Sequence, residues 1–297
     1  MPEPHQVAAV IVTHNRRALL EQCLQRVAAQ TRLPDTILVI DNASDDGTRS
    51  MLATHEGVDV LDLGENLGGA GGFHAGLRAA VERGHTWCWL MDDDTLPERD
   101  ALEALLSAAR TAPRADGAAA PLVLASRVEW TDGTLHPMNR PWPKTDVPAS
   151  QMVDAARLGL MPLRAASFVS VLIHRNAVIC HGLPHAEYFI YNDDLEYTAR
   201  ILRRGTGYWV PASLTIHATG FPRMPHEAGG ERFFYDVRNR IFVLRGDSWS
   251  RAEKGLLLHQ VLANVRTYLR ANHFRVPAVR TVLRALLDGF TSPAPHV

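Results

Sequence analysis

Through the first 125 residues, short apolar runs closed by polar clusters alternate with stretches of helical period. The runs are Val7–Val12, Thr36–Ile40, Val58–Leu63, Trp87–Met91 and Ala118–Leu124. A strand buried on both faces reads as such a run, so the pattern predicts an α/β fold with a mostly parallel central sheet flanked by helices. Leu20, Cys23, Leu24 and Val27 repeat at helical spacing between the first two runs, and further helices are predicted over about 72–83 and 97–110. Residues 126–163, rich in Pro, Thr and Asp, read as an irregular surface excursion that could shape an acceptor site, with disorder the plainer alternative. Ser167–His174 resumes as a strand, Asp193–Arg204 as a helix ended by Gly205, and Tyr208–Val210 and Leu214–His217 as two short strands. A catalytic region is assigned to 1–230 and a basic amphipathic helical region to 231–297, with Leu257, Val261, Val265 and Leu269 at helical spacing.

Composition narrows the classes. With 31 basic and 32 acidic residues, the chain lacks the cationic surplus that a nucleic-acid backbone reader needs. From Glu231 onward, however, ten Arg and one Lys face five Asp or Glu. An amphipathic region of that charge suits either docking on the main domain or lying on an anionic membrane. Three widely spaced cysteines, Cys23, Cys88 and Cys180, do not make a disulfide framework. No window reaches the ~18 apolar residues that a membrane span requires. A protein of the cytoplasm, or of the inner face of the plasma membrane, is expected.

The chemistry gathers at strand ends. Asp92-Asp93-Asp94 closes an apolar run, and three crowded carboxylates repel unless a cation joins them, so Mn²⁺ or Mg²⁺ is expected there. The plainer alternative is an acidic turn capping a helix that begins near Pro97. The first strand ends in Thr13-His14-Asn15-Arg16 and lacks the GxGxxG turn of a dinucleotide fold. Asp41 and Asn42 end the second strand, where a base or ribose would sit, and Asp45 and Asp46 suit helix capping. The glycines of Asn66-Leu67-Gly68-Gly69-Ala70-Gly71-Gly72 would admit a ligand to backbone amides, or simply loosen a loop. Asp193 and Asp194 open a helix, one suited to capping and the other to general-base work. His217, taken alone, is more often structural than a ligand.

In order and spacing, VAAVIVTHNR, ILVIDNASDDGT, NLGGAGGFHAG, WLMDDD and YNDDLEY with a downstream histidine resemble the family 2 glycosyltransferases of the GT-A fold. Within that family they are most similar to bacterial galactofuranosyl- and rhamnosyltransferases that build cell-envelope polysaccharide on lipid-linked acceptors. The resemblance implies that Thr13, Asn15, Arg16, Asp41, Asn42, Asn66, Gly69 and Asp93 contact a UDP- or dTDP-linked sugar. It further implies that Asp92, Asp94 and His217 ligate the metal and that Asp194, with Asp193 as rival, is the base. An inverting displacement onto a glycan or lipid-linked glycan follows, with UDP-galactofuranose the expected donor and dTDP-rhamnose the runner-up. His14 departs from the family, which often has Tyr or Phe there. Trp209, Tyr188, Phe189 and Tyr191 offer faces for sugar stacking or for the core. Two rivals stand beside this reading. One is a non-catalytic glycan or sugar-nucleotide binder, and the other a metal-dependent phosphohydrolase, which has no use for the later Asp-Asp and His.

Overall fold

The computed structural model describes residues 6–113, 120–220 and 230–293. Its first half is β1 (Val7–Thr13), α1 (Arg17–Ala28), β2 (Thr36–Asp41), α2 (Thr48–Leu52), β3 (Val58–Asp62), α3 (Gly68–Glu82) and β4 (Trp87–Asp92). Strands lie in the order β3-β2-β1-β4, all parallel. Every residue of β1 is buried, because Val7, Ala9 and Ile11 enter one apolar core while Ala8, Val10 and Val12 enter another. That burial on both faces is why the strand reads as a continuous run. Glycines set the depth of α3: a Cβ at Gly72 would stand 2.5 Å from Val12 Cγ1, and one at Gly76 2.5 Å from Val10 Cγ1.

The second half adds β5 (Thr95–Pro97), α4 (Ala101–Thr111), β6 (Val123–Glu129), β7 (Trp142–Pro143), α5 (Ala149–Arg157), β8 (Met161–Ala165), β9 (Val171–His174), α6 (Arg175–His181), α7 (Asp193–Leu202) and β10 (Gly207–His217). The sheet continues β4-β9-β6-β10-β8-β7, with β9 antiparallel to β4 and β6, and β10 parallel to β6. Helices α1 and α4 supply one face, and α3 and α7 the other. The mostly parallel central sheet is thus flanked by helices.

Several expected elements differ. Thr95–Pro97 is a strand, and the helix starts at Ala101 after Asp100, because Thr95–Pro97 pairs antiparallel with Thr215–His217. The acidic run therefore caps no helix. The two expected strands at 208–217 are one strand whose register against β6 shifts between Val210 and Leu214. The 126–163 segment is not simply irregular: it completes β6 and contributes β7, α5 and most of β8. Its period is weak because α5 buries only Ala155. The expected strand over 118–124 is described only from residue 120 and begins at Val123.

Three helices follow: α8 (Gly230–Arg245), α9 (Arg251–Ala271), opened by a Ser250/Glu253 capping box, and α10 (Val276–Thr291). Helices α8 and α9 pack on the main body, where Phe242, Val243, Trp249 and Leu257 meet Ala70, Ala165, Tyr188 and Ala199, while α10 packs on α8 through Ala278, Val282 and Ala285. Among the described residues, no helix is long and apolar enough to cross a membrane.

Candidate active site

Register assembles the acidic cluster. Thr13 pairs with Asp41 across β1 and β2, and Val12 pairs with Asp92 across β1 and β4, so the carboxyl ends of three parallel strands open at one level. That rim is where open α/β sheets hold ligands. The short β5 then pairs His217 with Thr95, and Ala218 N donates to Asp94 O at 2.8 Å, which brings the distant histidine alongside Asp94.

Asp92, Asp94 and His217 each turn one ligand atom inward, all within 4.8 Å of one another. His217 Nε2 lies 3.1 Å from Asp94 Oδ1 but off the line of a hydrogen bond, leaving that buried oxygen without a hydrogen-bond partner. His217 Nδ1 donates to Asn139 Oδ1 at 2.8 Å, and the Asn139 amide is oriented by donating to Ser167 Oγ. With Nδ1 so engaged, Nε2 faces the cluster, where it pairs with Asp94 when protonated and offers its lone pair to a cation when not. Burial first, then Asp94 and Asp93, and more weakly Asp193, push the Asp92 carboxyl well above its ordinary value against the pull of Arg16. Burial acts the same way on Asp94, but His217 and Arg16 outweigh it and hold that carboxyl at about 2. An orphaned buried oxygen, mutual repulsion and an O,O,N donor set fit a divalent cation of the Mn²⁺ or Mg²⁺ type.

Arg16 is the cationic partner on the protein side, with Nη1 2.6 Å from Asp94 Oδ2 and 3.2 Å from Asp93 Oδ1. Its side chain remains 42% exposed, so the pairing with Asp93 and Asp94 does not enclose it. Thr13 Oγ1 donates to Asp93 Oδ2 at 2.8 Å.

Several residues expected to contact nucleotide have their polar atoms engaged inside the fold. Asn15, in left-handed backbone at φ 53, accepts from Asp45 N through Oδ1 and so ties the first strand's loop to the second's. Asn42 donates to Gly68 O at 2.7 Å and accepts from Leu67 N at 2.9 Å, anchoring the glycine loop. Asn66 Oδ1 accepts from Gly68 N, and His14 Nδ1 donates to Asn42 O. Asp46 accepts from Thr48 N at the start of α2, as its capping chemistry suggests. Two positions stay open. A Cβ at Gly69 would meet nothing within 4 Å, and the fully buried Asp41 Oδ2 has no hydrogen bond, although Arg49 Nε stands 3.4 Å away.

Opposite lies the start of α7. Its carboxylates Asp193 and Asp194 occupy the first turn, where the helix dipole favours anions. They differ in surroundings. Asp193 is 7% exposed, and burial followed by repulsion from Asp194 raises its carboxyl well above the ordinary range. Asp194 is less enclosed: burial lifts it to about 6, while the N–H groups of Leu195 and Phe168 and the charge of Arg240 oppose the rise. Of the two, Asp193 is the one near enough to repel Asp92. Of the expected stacking aromatics, Tyr188 is 1% exposed and packs on Phe242, Phe189 stacks on Tyr235, and Trp209 donates to Ser126 O.

The backbone leading into α7 is strained. Phe189, Tyr191 and Asn192 all have positive φ (62, 68 and 65), a state costing about 1–3 kcal/mol per non-glycine residue. Gly68 makes room for this segment, since a Cβ there would lie 2.1 Å from Phe189 O. Asn139, Arg49 and Asn239 belong to the surroundings of the site but carry no motif. For Asn239 the available signal is a polar residue that falls, at helical spacing, beside Asp236, Phe242 and Val243, on the face of its helix that packs against the main body.

Residues 8–152 match the glycosyl transferase family 2 model. Over 266 residues the chain is 32% identical to galactofuranosyltransferase GlfT1 of Mycolicibacterium smegmatis, covering 86% of each protein. It is 26% identical over 291 residues to the N-acetylglucosaminyl-diphospho-decaprenol L-rhamnosyltransferase of Mycobacterium tuberculosis, covering 88% of this chain and 91% of that one. The GT-A architecture is shared with S. aureus TarS residues 1–349 in complex with UDP. That match has a TM-score of 0.63 and 13% identity, and covers 96% of this chain and 80% of the other. The relatives make this chain a glycosyltransferase, and it belongs to glycosyltransferase family 2.

Proposed function

We propose that the chain is a metal-dependent inverting hexosyltransferase that moves galactofuranose from UDP-galactofuranose to a lipid-linked or polysaccharide acceptor in cell-envelope synthesis. The observation that carries this reading is the buried Asp92, Asp94 and His217 cluster with its orphaned Asp94 oxygen, facing a second carboxylate at the start of α7. The 32% identity to a galactofuranosyltransferase favours that sugar over rhamnose from dTDP-rhamnose, the activity of the 26% identical relative. UDP in the TarS complex is in keeping with a uridine donor.

In this mechanism Asp92, Asp94 and His217 would hold Mn²⁺ or Mg²⁺, which would supply Lewis-acid neutralisation of the diphosphate. Arg16, kept in place by Asp93 and Asp94, adds its exposed guanidinium to the same charge. Asp41 Oδ2 accepts from the base or ribose, Gly69 lets the donor lie against the backbone, and Thr13, Asn15, Asn42 and Asn66 keep the rim in shape. Asp194 takes the proton of the acceptor hydroxyl as its oxygen attacks the anomeric carbon. A group titrating near 6 is ionised at neutral pH yet basic enough for that task. Asp193, more enclosed and holding its proton more tightly, is the poorer base. One displacement breaks the bond to the nucleoside diphosphate and inverts the anomeric centre.

Residues 1–230 carry this chemistry, and 231–297 form the appended helical region. On α10, Leu283, Leu287 and Phe290 are 61–65% exposed along one stripe, with Arg275 and Arg280 also exposed nearby. Apolar side chains among arginines suit an anionic membrane surface, the place of a lipid-linked acceptor. The chain would then act in the cytoplasm at the inner face of the plasma membrane.

Calorimetric titration with UDP and with dTDP, with and without Mn²⁺, tests the donor site on the wild type and on Asp94→Ala. UDP binding that requires Mn²⁺ and disappears in the variant is expected. Failure of both nucleotides to bind, or phosphate release without an acceptor, would overturn the reading.

A further inference from the structure

We infer that Asn239, on a helix outside the region matched by the family model, is a positioning residue for the carboxylates of α7. The inference rests on the reading of Asp194 as the base. Asn239 is fully buried, and its Nδ2 donates to three backbone carbonyls of one short segment: Tyr188 at 2.9 Å, Ile190 at 2.8 Å and Tyr191 at 2.8 Å. An amide nitrogen has two hydrogens, so one of these is shared. The carbonyls belong to the strained stretch. Ile190 N closes a three-residue turn on Tyr188 O at 2.7 Å, centred on Phe189 with φ 62 and ψ −61. That γ-turn conformation is rare, and left-handed Tyr191 and Asn192 follow it directly.

Such backbone persists only where its surroundings over-determine it. Here α8 provides most of the determination. Arg238 donates to Glu187 O at 2.8 Å and Tyr188 O at 3.0 Å, and Asn192 Nδ2 donates to Asp236 Oδ1 at 3.1 Å. From the other side, Ala70 N donates to Phe189 O at 3.1 Å. Asn239 is the member that touches the carbonyls on both sides of the turn. Asn192 is the cap residue of α7, so the direction of the first helical turn, and with it Asp193 and Asp194, is set by where this segment is pinned.

The prediction separates placement of the base from binding of the donor, because the donor side rests mainly on β1, β2 and β4 and meets this segment through Gly68 and Ala70, which Asn239 does not touch. Asn239→Leu keeps the volume and loses all three bonds, and Asn192→Gly removes the tie to Asp236 while easing the left-handed backbone. Hydrogen exchange of the 188–195 amides is measured beside the melting temperature, Mn²⁺–UDP affinity and the pH profile of sugar transfer. Expected in Asn239→Leu are faster exchange confined to 188–195, UDP affinity within about twofold of wild type, and a shifted acid limb. Turnover falls by about 100-fold, the cost of an ångström-scale misplacement. If Asn239→Leu does not fold, Asn192→Gly is expected to give the same pattern more mildly. Unchanged exchange at 188–195 in a folded variant would overturn the inference, as would faster exchange with an unaltered acid limb and kcat. A wild type that transfers no sugar while the variant still loosens 188–195 would instead count against the function proposed above.

Discussion

Replacing Asp93 with asparagine is expected to stabilise the metal-free protein while harming its donor site. Asp93 is 4% exposed, and burial holds its carboxyl at about 6 against an ordinary 3.8, with Asp94 adding to the rise and Arg16 and Thr13 opposing it. A carboxyl raised in the folded state binds its proton more tightly there than in the unfolded chain. Its ionisation therefore costs native stability, fully above pH 6 and not at all below pH 3.8. The gap between 3.8 and about 6 corresponds to roughly 3 kcal/mol at neutral pH. Asparagine removes the charge but keeps one acceptor oxygen, so one of the bonds from Thr13 at 2.8 Å and Arg16 at 3.2 Å is lost, worth about 1–2 kcal/mol. The balance is a gain of about 1–2 kcal/mol at pH 7.5, falling to zero or below at pH 4.5 as the wild-type carboxyl takes up its proton. Urea denaturation in EDTA at both pH values reads this difference directly. A destabilised variant at pH 7.5, or the same difference at both pH values, would refute the charge argument. Affinity for Mn²⁺–UDP should drop, because Arg16 loses one of its two anchors.

Asp194→Asn should lower transfer by about 100-fold or more while leaving Mn²⁺–UDP binding intact. In the wild type, kcat should fall as pH drops through about 6, because the base is lost on protonation. An unchanged rate would move the role to Asp193, for which Asp193→Asn is the parallel measurement. Changing Leu283, Leu287 and Phe290 together to serine should abolish co-sedimentation with phosphatidylglycerol vesicles at unchanged melting temperature. Each buried apolar side chain contributes about 1.5–3 kcal/mol, and vesicle binding that survives the triple change would remove this stripe from consideration.

The rim of the sheet was readable in the chain because buried parallel strands are apolar until they end, so Asp41 and Asp92 stand out as the first charges after Ile40 and Met91. The pairings that complete the site were not. His217 reaches Asp94 only through a three-residue strand that reads locally as the start of a helix, and through a register shift within β10. Glycines identify a place of close approach without saying what approaches. Gly72 and Gly76 meet the sheet, and Gly68 meets Phe189 O, whereas Gly69 alone of that loop's left-handed or crowded neighbours opens onto free space. Asparagine is ambiguous for the same reason: Asn42 and Asn15 sit where a nucleotide is expected, yet their amides close loops. Only coordinates distinguish an amide that serves a ligand from one that serves the backbone.

The charges of the cleft also bear on the order in which its ligands can be held. Among the described residues, Arg16 is the guanidinium paired with Asp93 and Asp94, and Asp193 stands near enough to Asp92 that ionising both is disfavoured. A nucleoside diphosphate brings more negative charge to that rim, so without a cation it would meet repulsion that Arg16 alone does not offset. Held by Asp92, Asp94 and His217, a divalent ion would supply the positive charge that reverses the balance. Each ligand should therefore raise the affinity for the other by the same factor, as linkage requires. The same reasoning suits the proposed base to another element. The ionised form of Asp194 is favoured by Leu195 N–H, Phe168 N–H and Arg240, groups outside the acidic run, so filling the donor side would leave those supports of the proposed proton acceptor in place.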